Sequence, residues 1–231
     1  MLTNRTGCGI LWEKEGFPLN KPKFSLTAAQ LRLLALWLML IDHVGRVVFP
    51  GQRWMICLGR LAFPIFAFQT AEGYRHTHNF GRYCLRLALF ALISEIPFDL
   101  MVFGSVFDLR HQNVMLTMLL GLLACRAWDR KNILLLGVLY LSGSLLRCDY
   151  GSLGIATVLM FHVLREYKWV QLPGLLLIRA CGYGLFSVQN FAVLAWVPIC
   201  LYRGEKGRGG KWIQYGSYVF YPLHMLILGL L

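Results

Sequence analysis

Acidic residues are scarce in this chain: 11 Asp and Glu stand against 23 Lys and Arg in 231 residues, and charged side chains of both signs make up only 15%. So little charge cannot clothe the surface of a water-soluble domain of this size. The seven cysteines (8, 57, 84, 125, 148, 181 and 200) form no CxxC pair and no metal-ligand spacing, which argues against a zinc or dithiol centre. They read as thiols in apolar surroundings, although Cys57 and Cys148 fall near the same end of their segments and could meet. Internal repeats and low-complexity tracts are missing as well. The first 24 residues, "MLTNRTGCGILWEKEGFPLNKPKF", lack a continuous apolar core followed by a small-residue cleavage site, so they are not a cleavable signal peptide.

What the chain has in abundance is apolar side chains, at 57% of residues. A helix crossing the hydrocarbon of a bilayer needs about 20 mostly apolar residues. Such segments recur near 28–49, 54–73, 83–103, 113–128, 132–147, 151–167, 172–188, 190–203 and 215–231. The expected fold is therefore all-α: a polytopic membrane bundle of about nine helices. Residues 1–24 read as a short cytosolic tail and 25–231 as a single transmembrane domain, with Ser25 or Thr27 capping the first helix. The net charge of +12 is distributed by side. Lys14, Lys21, Lys23, Arg75, Arg82, Arg126, Arg130, Lys131, Arg165, Lys168, Arg203, Lys206, Arg208 and Lys211 fall on the side of the N-terminus. Only Arg46, Arg53, Arg110 and Arg147 fall opposite. That is the positive-inside pattern, giving N-inside and C-outside. It implies lipid, and no nucleic acid, as the partner of the basic residues.

Ionisable groups inside membrane helices are rare and usually face a bundle interior or a watery cavity. Here Asp42, His43, Arg60, Glu72, Glu95, Asp99, His162, Arg179 and His224 all lie within the apolar segments. Following the chain back and forth places Asp42, His43, Arg60, Asp99, Asn113, Thr117 and Asp149 at one depth in the outer half. Depth does not say which faces meet. Arg32 and His43 are eleven residues apart, which puts them on one helix face about 16 Å apart along the axis. Asp42 points about 100° away from His43, toward Arg60 or another helix. Pro64 and Pro97 interrupt their ladders and free carbonyls near residues 60 and 93. Packing explanations stay open for several of these groups. Glu95 and Asp99 fit helix capping or an Arg179 pair, His224 fits a structural contact, and His162 an interhelical hydrogen bond. No two histidines share a helix at ligand spacing, so no metal is expected.

The stretches "LRLLALWLMLIDHVG", "LGRLAFPIFAFQTAEGYRHTHNFGRYCLRLALFALISEIPFD" and "QNVMLTMLLGLL", continued by "DYGSLG" and "YPLHML", resemble the TraX family of membrane proteins. TraX proteins are associated with acetylation of the amino-terminal residue of conjugative pilin. They are similar to the acyltransferase-3 superfamily, whose first helix carries a basic residue, ten residues, then a histidine. Arg32 and His43 have that spacing. The resemblance implies that His43 is the essential histidine and Arg32 its basic partner. Asp42 belongs to "IDH", Arg60 to "GRLAFP", Glu72 and His76 to "EGYRHT", and Asn113 and Thr117 to "NVMLT".

The resemblance then implies acetyl transfer from cytosolic acetyl-CoA, with Arg32 and, near the cytosolic face, Glu72, Arg75, His76 and Arg82 around the donor's phosphates. His43, with Asp42 beside it, would act as general base or acetyl carrier. Arg60, Asn113 and Thr117 would position the acceptor or stabilise the oxyanion. The acceptor, a pilin-like peptide or an envelope molecule, would arrive from the outer side of what the resemblance implies is a bacterial inner membrane. O-acetylation of an envelope glycan or small molecule, a small proton-coupled transporter and a non-catalytic assembly factor are the competing readings. The absence of an inverted repeat weighs against a transporter.

Overall fold

Thr27 starts the first helix by reciprocal hydrogen bonds: its Oγ1 accepts from the backbone N–H of Gln30 at 3.3 Å, and its own N–H donates to Gln30 Oε1 at 2.9 Å. Of the two caps the sequence allows, Thr27 is the one used. The structure, a computed structural model, describes residues 25–184 and 186–231, apart from the side chains of 210 and 211. The tail 1–24 lies outside the described residues. The helices are α1 (Ala28–Val47), α2 (Arg53–Gly59), α3 (Ala62–His76), α4 (Phe80–Phe103), α5 (Val114–Asp129), α6 (Ile133–Leu145), α7 (Gly151–Val163), α8 (Lys168–Tyr183), α9 (Trp196–Cys200) and α10 (Gly210–Gly229), with a 3₁₀ segment at Val188–Ala195.

Read with α2 and α3 as one broken rod, and the 3₁₀ segment joined to α9, these elements stand at the nine positions that hydropathy marks. The break falls at Arg60 and Leu61 because Pro64 has no N–H and its ring crowds the carbonyl of Arg60. The second proline behaves differently from expectation. The helix α4 runs unbroken through Pro97 and ends at Gly104, whose φ of 66° is the left-handed conformation a glycine adopts freely.

The helix α3 is central, packing on α1, α5, α7 and the 3₁₀ segment. On one side α1 meets α10, which also lies along α4; on the other, α7 carries α6 and α8. A main apolar core of Leu31, Ala35, Phe63, Ile65, Phe68, Leu122, Phe161 and Met225 fills the space between them. The distribution of polarity is inverted relative to a soluble bundle. Ile133, Leu134, Leu145 and Leu92 are 80%, 81%, 80% and 74% exposed, while Asp42, Arg60, Asp99, Asn113, Thr117, Arg179 and His224 are buried.

Two helical rods, Ala28–Val47 and Arg53–His76, are long and apolar enough to cross a membrane; Ile133–Leu145, Gly151–Val163 and Val188–Cys200 are apolar but shorter. Among the other expected spans, α4, α6 and α7 miss that measure for physical reasons. Arg82, Arg86, Glu95 and Asp99 dilute α4. The 13 residues of α6 or α7 extend only about 20 Å.

Candidate functional site

His43, one turn short of the end of α1, meets His224, near the end of α10. His43 Nδ1 and His224 Nε2 are 2.7 Å apart. The ring planes differ by 4° and the centroids are 5.0 Å apart, the arrangement of two coplanar rings joined edge to edge along the N–N line. His224 Nδ1 in turn lies 2.8 Å from the Phe220 carbonyl oxygen. A carbonyl only accepts, so Nδ1 of His224 carries the proton. With His224 neutral, its Nε2 accepts from His43 Nδ1–H. The network thereby assigns the tautomer of His43 and leaves its Nε2 as a lone pair. The ring of Phe220 stacks on His224 at 4.9 Å and holds its orientation.

Asp42, the neighbour of His43, faces elsewhere. Its carboxylate accepts from Arg46 Nε at 2.8 Å and from an Nη of Arg60, an inter-helix pair that joins α1 to α2. The pairing of Asp42 with Arg60, one of the possibilities in the sequence, is thus present. Gly59 makes it possible: a Cβ there would lie 2.1 Å from Cβ of Asp42. Arg46, half exposed, is an addition. It stands one turn after His43, and its charge and that of Arg60 reach the imidazole.

A cleft with about 590 Å³ of empty space, part of it open to solvent, runs up the same face of α1. The α1 wall is Arg32, Leu36 and Met39; one further turn gives His43. The α10 wall is Ser217, Tyr218 and Tyr221; three further residues give His224. The lining includes Arg32 and neither histidine; the pair lies just beyond it along α1 and α10. Arg32 Nε donates to Gln69 Oε1 at 3.2 Å, and Gln69 is held by the carbonyl of Ala28 at 3.0 Å. A second guanidinium joins it: Arg86 lies 5.1 Å from the ring centre of Tyr83 and 5.2 Å from that of Tyr218, both of which line the cleft.

The other basic candidates separate from Arg32. Glu72 and Arg75 line a different cleft on the opposite face of α3. His76 is exposed and pairs with Glu72 at 3.0 Å, and Arg82 is exposed at the start of α4. Asn113 and Thr117, both fully buried, have partners inside the fold. Asn113 caps α5 through Met115 N–H at 3.0 Å, donates to the carbonyl of Ala91 at 2.8 Å and pairs with Glu95; the hydroxyl of Thr117 donates to the backbone oxygen of Asp149.

Several alternatives resolve. Glu95 serves Asn113, and Asp99 accepts from the backbone N–H of Asp108 at 2.8 Å, so neither pairs with Arg179. Arg179 instead sits among the rings of Phe63, Tyr150 and Tyr183, whose centres lie 5.3, 5.5 and 5.7 Å from its guanidinium carbon. His162 makes the expected interhelical bond, to Asp129 at 2.8 Å. Cys57 and Cys148 are both free thiols and do not pair. Among the described residues no group of His, Cys, Asp and Glu is arranged to hold a metal.

His224, Arg86 and Arg46 are the residues that sequence reasoning left out of the site. His224 carried a signal, since it is an ionisable group within the last apolar segment.

Residues 27–231 match the family model described as "TraX protein". The chain belongs to the TraX family. It is 30% identical over 232 residues to "Probable fimbrial assembly protein FimC, serogroup H1" of Dichelobacter nodosus, covering 87% of this chain and 94% of that one. It is 26% identical over 219 residues to "Protein TraX" of Escherichia coli strain K12, covering 87% of this chain and 85% of the relative. A second Escherichia coli "Protein TraX" is 28% identical over 222 residues, with 87% and 85% covered. No solved structure matches the chain. The TraX match includes Arg32, His43 and His224, so the cleft and the histidine pair both lie inside the family region.

Proposed function

We propose that this TraX-family protein is a multi-pass inner-membrane acetyltransferase that moves an acetyl group from cytosolic acetyl-CoA to the N-terminal amine of a pilin-like protein reached from the outer side. The observation that carries the reading is the cleft itself, with Arg32 in its wall, Arg86 against two of its lining rings, and a histidine with a free Nε2 one turn beyond its lining on α1. The Arg32–His43 spacing, that of the acyltransferase-3 superfamily, supports it. So does the relative whose name describes fimbrial assembly. The inverted polarity of the bundle, with its apolar outer rows, supports the membrane setting.

In this reading Arg32 and Arg86 hold the donor's phosphates at the basic face by charge-assisted hydrogen bonds. The donor's acyl arm follows the apolar wall of Leu36, Met39 and Leu87 toward His43. The neutral acceptor nitrogen attacks the thioester carbon. A C–N bond forms, His43 Nε2 takes the amine proton, the C–S bond breaks, and His43 returns the proton to the leaving thiolate. The hydrogen bond from His43 Nδ1–H to His224 fixes the base in the required tautomer. Arg60 and Arg46 supply positive charge beside the developing oxyanion. Asn113 and Thr117, engaged by their own partners, shape the cavity wall by holding α4, α5 and α7 together.

Purified protein in proteoliposomes, given acetyl-CoA with a labelled acetyl group and a pilin-like N-terminal peptide, should shift the peptide mass by one acetyl group. Unchanged peptide, with label taken up across the bilayer, would instead identify a carrier.

A further inference from the structure

The cleft on the opposite face of α3 plays no part in that reaction, yet it has the makings of a site. Its empty space, about 780 Å³ and partly open to solvent, lies between the ends of α3 and α7 and the start of α8. Four cationic side chains line it, Arg75, Arg165, Lys168 and Arg203, against one carboxylate, Glu72. Glu72 is already engaged, by His76 at 3.0 Å and by the hydroxyl of Tyr202 at 3.4 Å. Two of the cations have exposed partners outside the lining, Arg165 with Glu166 at 3.6 Å and Arg203 with Glu205 at 2.9 Å, the kind of solvent-facing pair an anion readily displaces.

A second observation points to a ligand. Gln171, 1% exposed, lines the cleft, and its Nε2 donates to the carbonyl of Leu164 at 3.0 Å. Its Oε1 is buried with no hydrogen-bond partner among the described residues. A buried acceptor without a donor is destabilising, so such groups are commonly satisfied by something that binds. The cleft therefore asks for an anion that also carries a donor.

Its position narrows the source. Trp169, beside Lys168, is 79% exposed and packs against Trp196 with ring centres 5.2 Å apart. The indole N–H of Trp196 is tied to the backbone oxygen of Lys168 at 2.9 Å. Exposed tryptophans beside basic residues mark the level where lipid headgroups meet water, and basic pockets between helices on the cytoplasmic side take anionic headgroups.

We propose that this cleft binds the headgroup of an anionic phospholipid, its phosphate among Arg75, Arg165, Lys168 and Arg203 and a headgroup hydroxyl donating to Gln171 Oε1. Phosphatidylglycerol has both features. Coenzyme A, also phosphorylated, is the soluble source of the same chemistry.

The test is native mass spectrometry of the full-length protein in detergent, titrated separately with phosphatidylglycerol, phosphatidylcholine and coenzyme A. The readout is retained ligand, so it does not depend on acetyl transfer. Phosphatidylglycerol should be retained in preference to phosphatidylcholine, and excess coenzyme A should not displace it. The exposed-site double variant Arg75→Ala/Arg165→Ala should weaken retention by roughly ten- to thirtyfold. Gln171→Leu should reduce the preference for phosphatidylglycerol over phosphatidic acid, which keeps the phosphate but lacks the headgroup hydroxyl. Equal retention of both lipids by the wild type, unchanged retention by the double variant, or displacement by coenzyme A would each overturn the proposal. Melting curves of the variants show whether the fold is kept; if Gln171→Leu does not fold, the double variant and the competition still decide.

Discussion

His43 and His224, 181 positions apart in the chain, join their imidazoles edge to edge through a 2.7 Å contact between Nδ1 and Nε2. The hydrogen bond of His224 to the Phe220 carbonyl then makes the proton on His43 sit on Nδ1. In the proposed mechanism His224 is a positioning residue and does not itself touch substrate.

His224→Ala should therefore lower kcat by about 10- to 100-fold while leaving the KM for acetyl-CoA near its wild-type value. His224→Gln, whose amide can replace the acceptor, should recover part of the loss. A purely structural role for His224 would lower the amount of folded protein and leave kcat per folded molecule unchanged.

Arg32 lines the cleft, three turns before His43 on α1, and Arg86 stands against its Tyr83 and Tyr218. Arg86→Ala and Arg32→Ala should each raise the KM for acetyl-CoA about tenfold or more with a small change in kcat, the pattern of lost ground-state binding. The double variant should bind a dephosphorylated donor as well as the wild type does. Steady-state kinetics with both donors checks this.

Gly59 lets α2 approach α1 closely enough for Arg60 to reach Asp42. Gly59→Ala would put a methyl 2.6 Å from Asp42 Oδ1 and should destabilise the protein by about 1–3 kcal/mol. Gly137→Ala in α6, where nothing lies within 4 Å of the added carbon, should be neutral or slightly stabilising. Denaturation of the two variants in one detergent makes the comparison.

In the loop between α4 and α5, His111 has its pKa raised from 6.5, chiefly by its hydrogen bond to Asp149, 3.5 Å away, with burial opposing. A histidine whose pKa is raised on folding stabilises the protein fully below its ordinary value and loses that contribution as pH rises through the raised value. The stability lost in His111→Gln should accordingly be largest below pH 6.5 and fade above it. Melting temperatures across that range, wild type against variant, provide the measurement.

Apolar runs marked the helices, the missing N–H of Pro64 marked the break before α3, and the eleven-residue step from Arg32 marked the face of α1 that lines the cleft. All of these are local, because they depend on periodicity within one segment. The pairing of His43 with His224 depends on which face of α10 turns toward α1, and that is decided by packing over the whole bundle. Hydropathy gives depth and not rotation, so Arg32 and Arg75 looked like neighbours at one basic face although α3 separates their clefts. Arg86 escaped notice for a related reason. Its guanidinium is held by the faces of Tyr83 and Tyr218, and no charge pattern along α4 announces such a contact. Pro97 misled in the opposite sense, because α4 absorbs the loss of one hydrogen bond without breaking.

The central claim is that Nε2 of His43 takes the acceptor's proton. The most direct measurement is the single-turnover rate of acetyl transfer by His43→Ala in proteoliposomes, with acetyl-CoA binding measured on the same sample. A fall of about 10²–10⁴ in rate with donor binding intact is the predicted result. Transfer at the wild-type rate would contradict it.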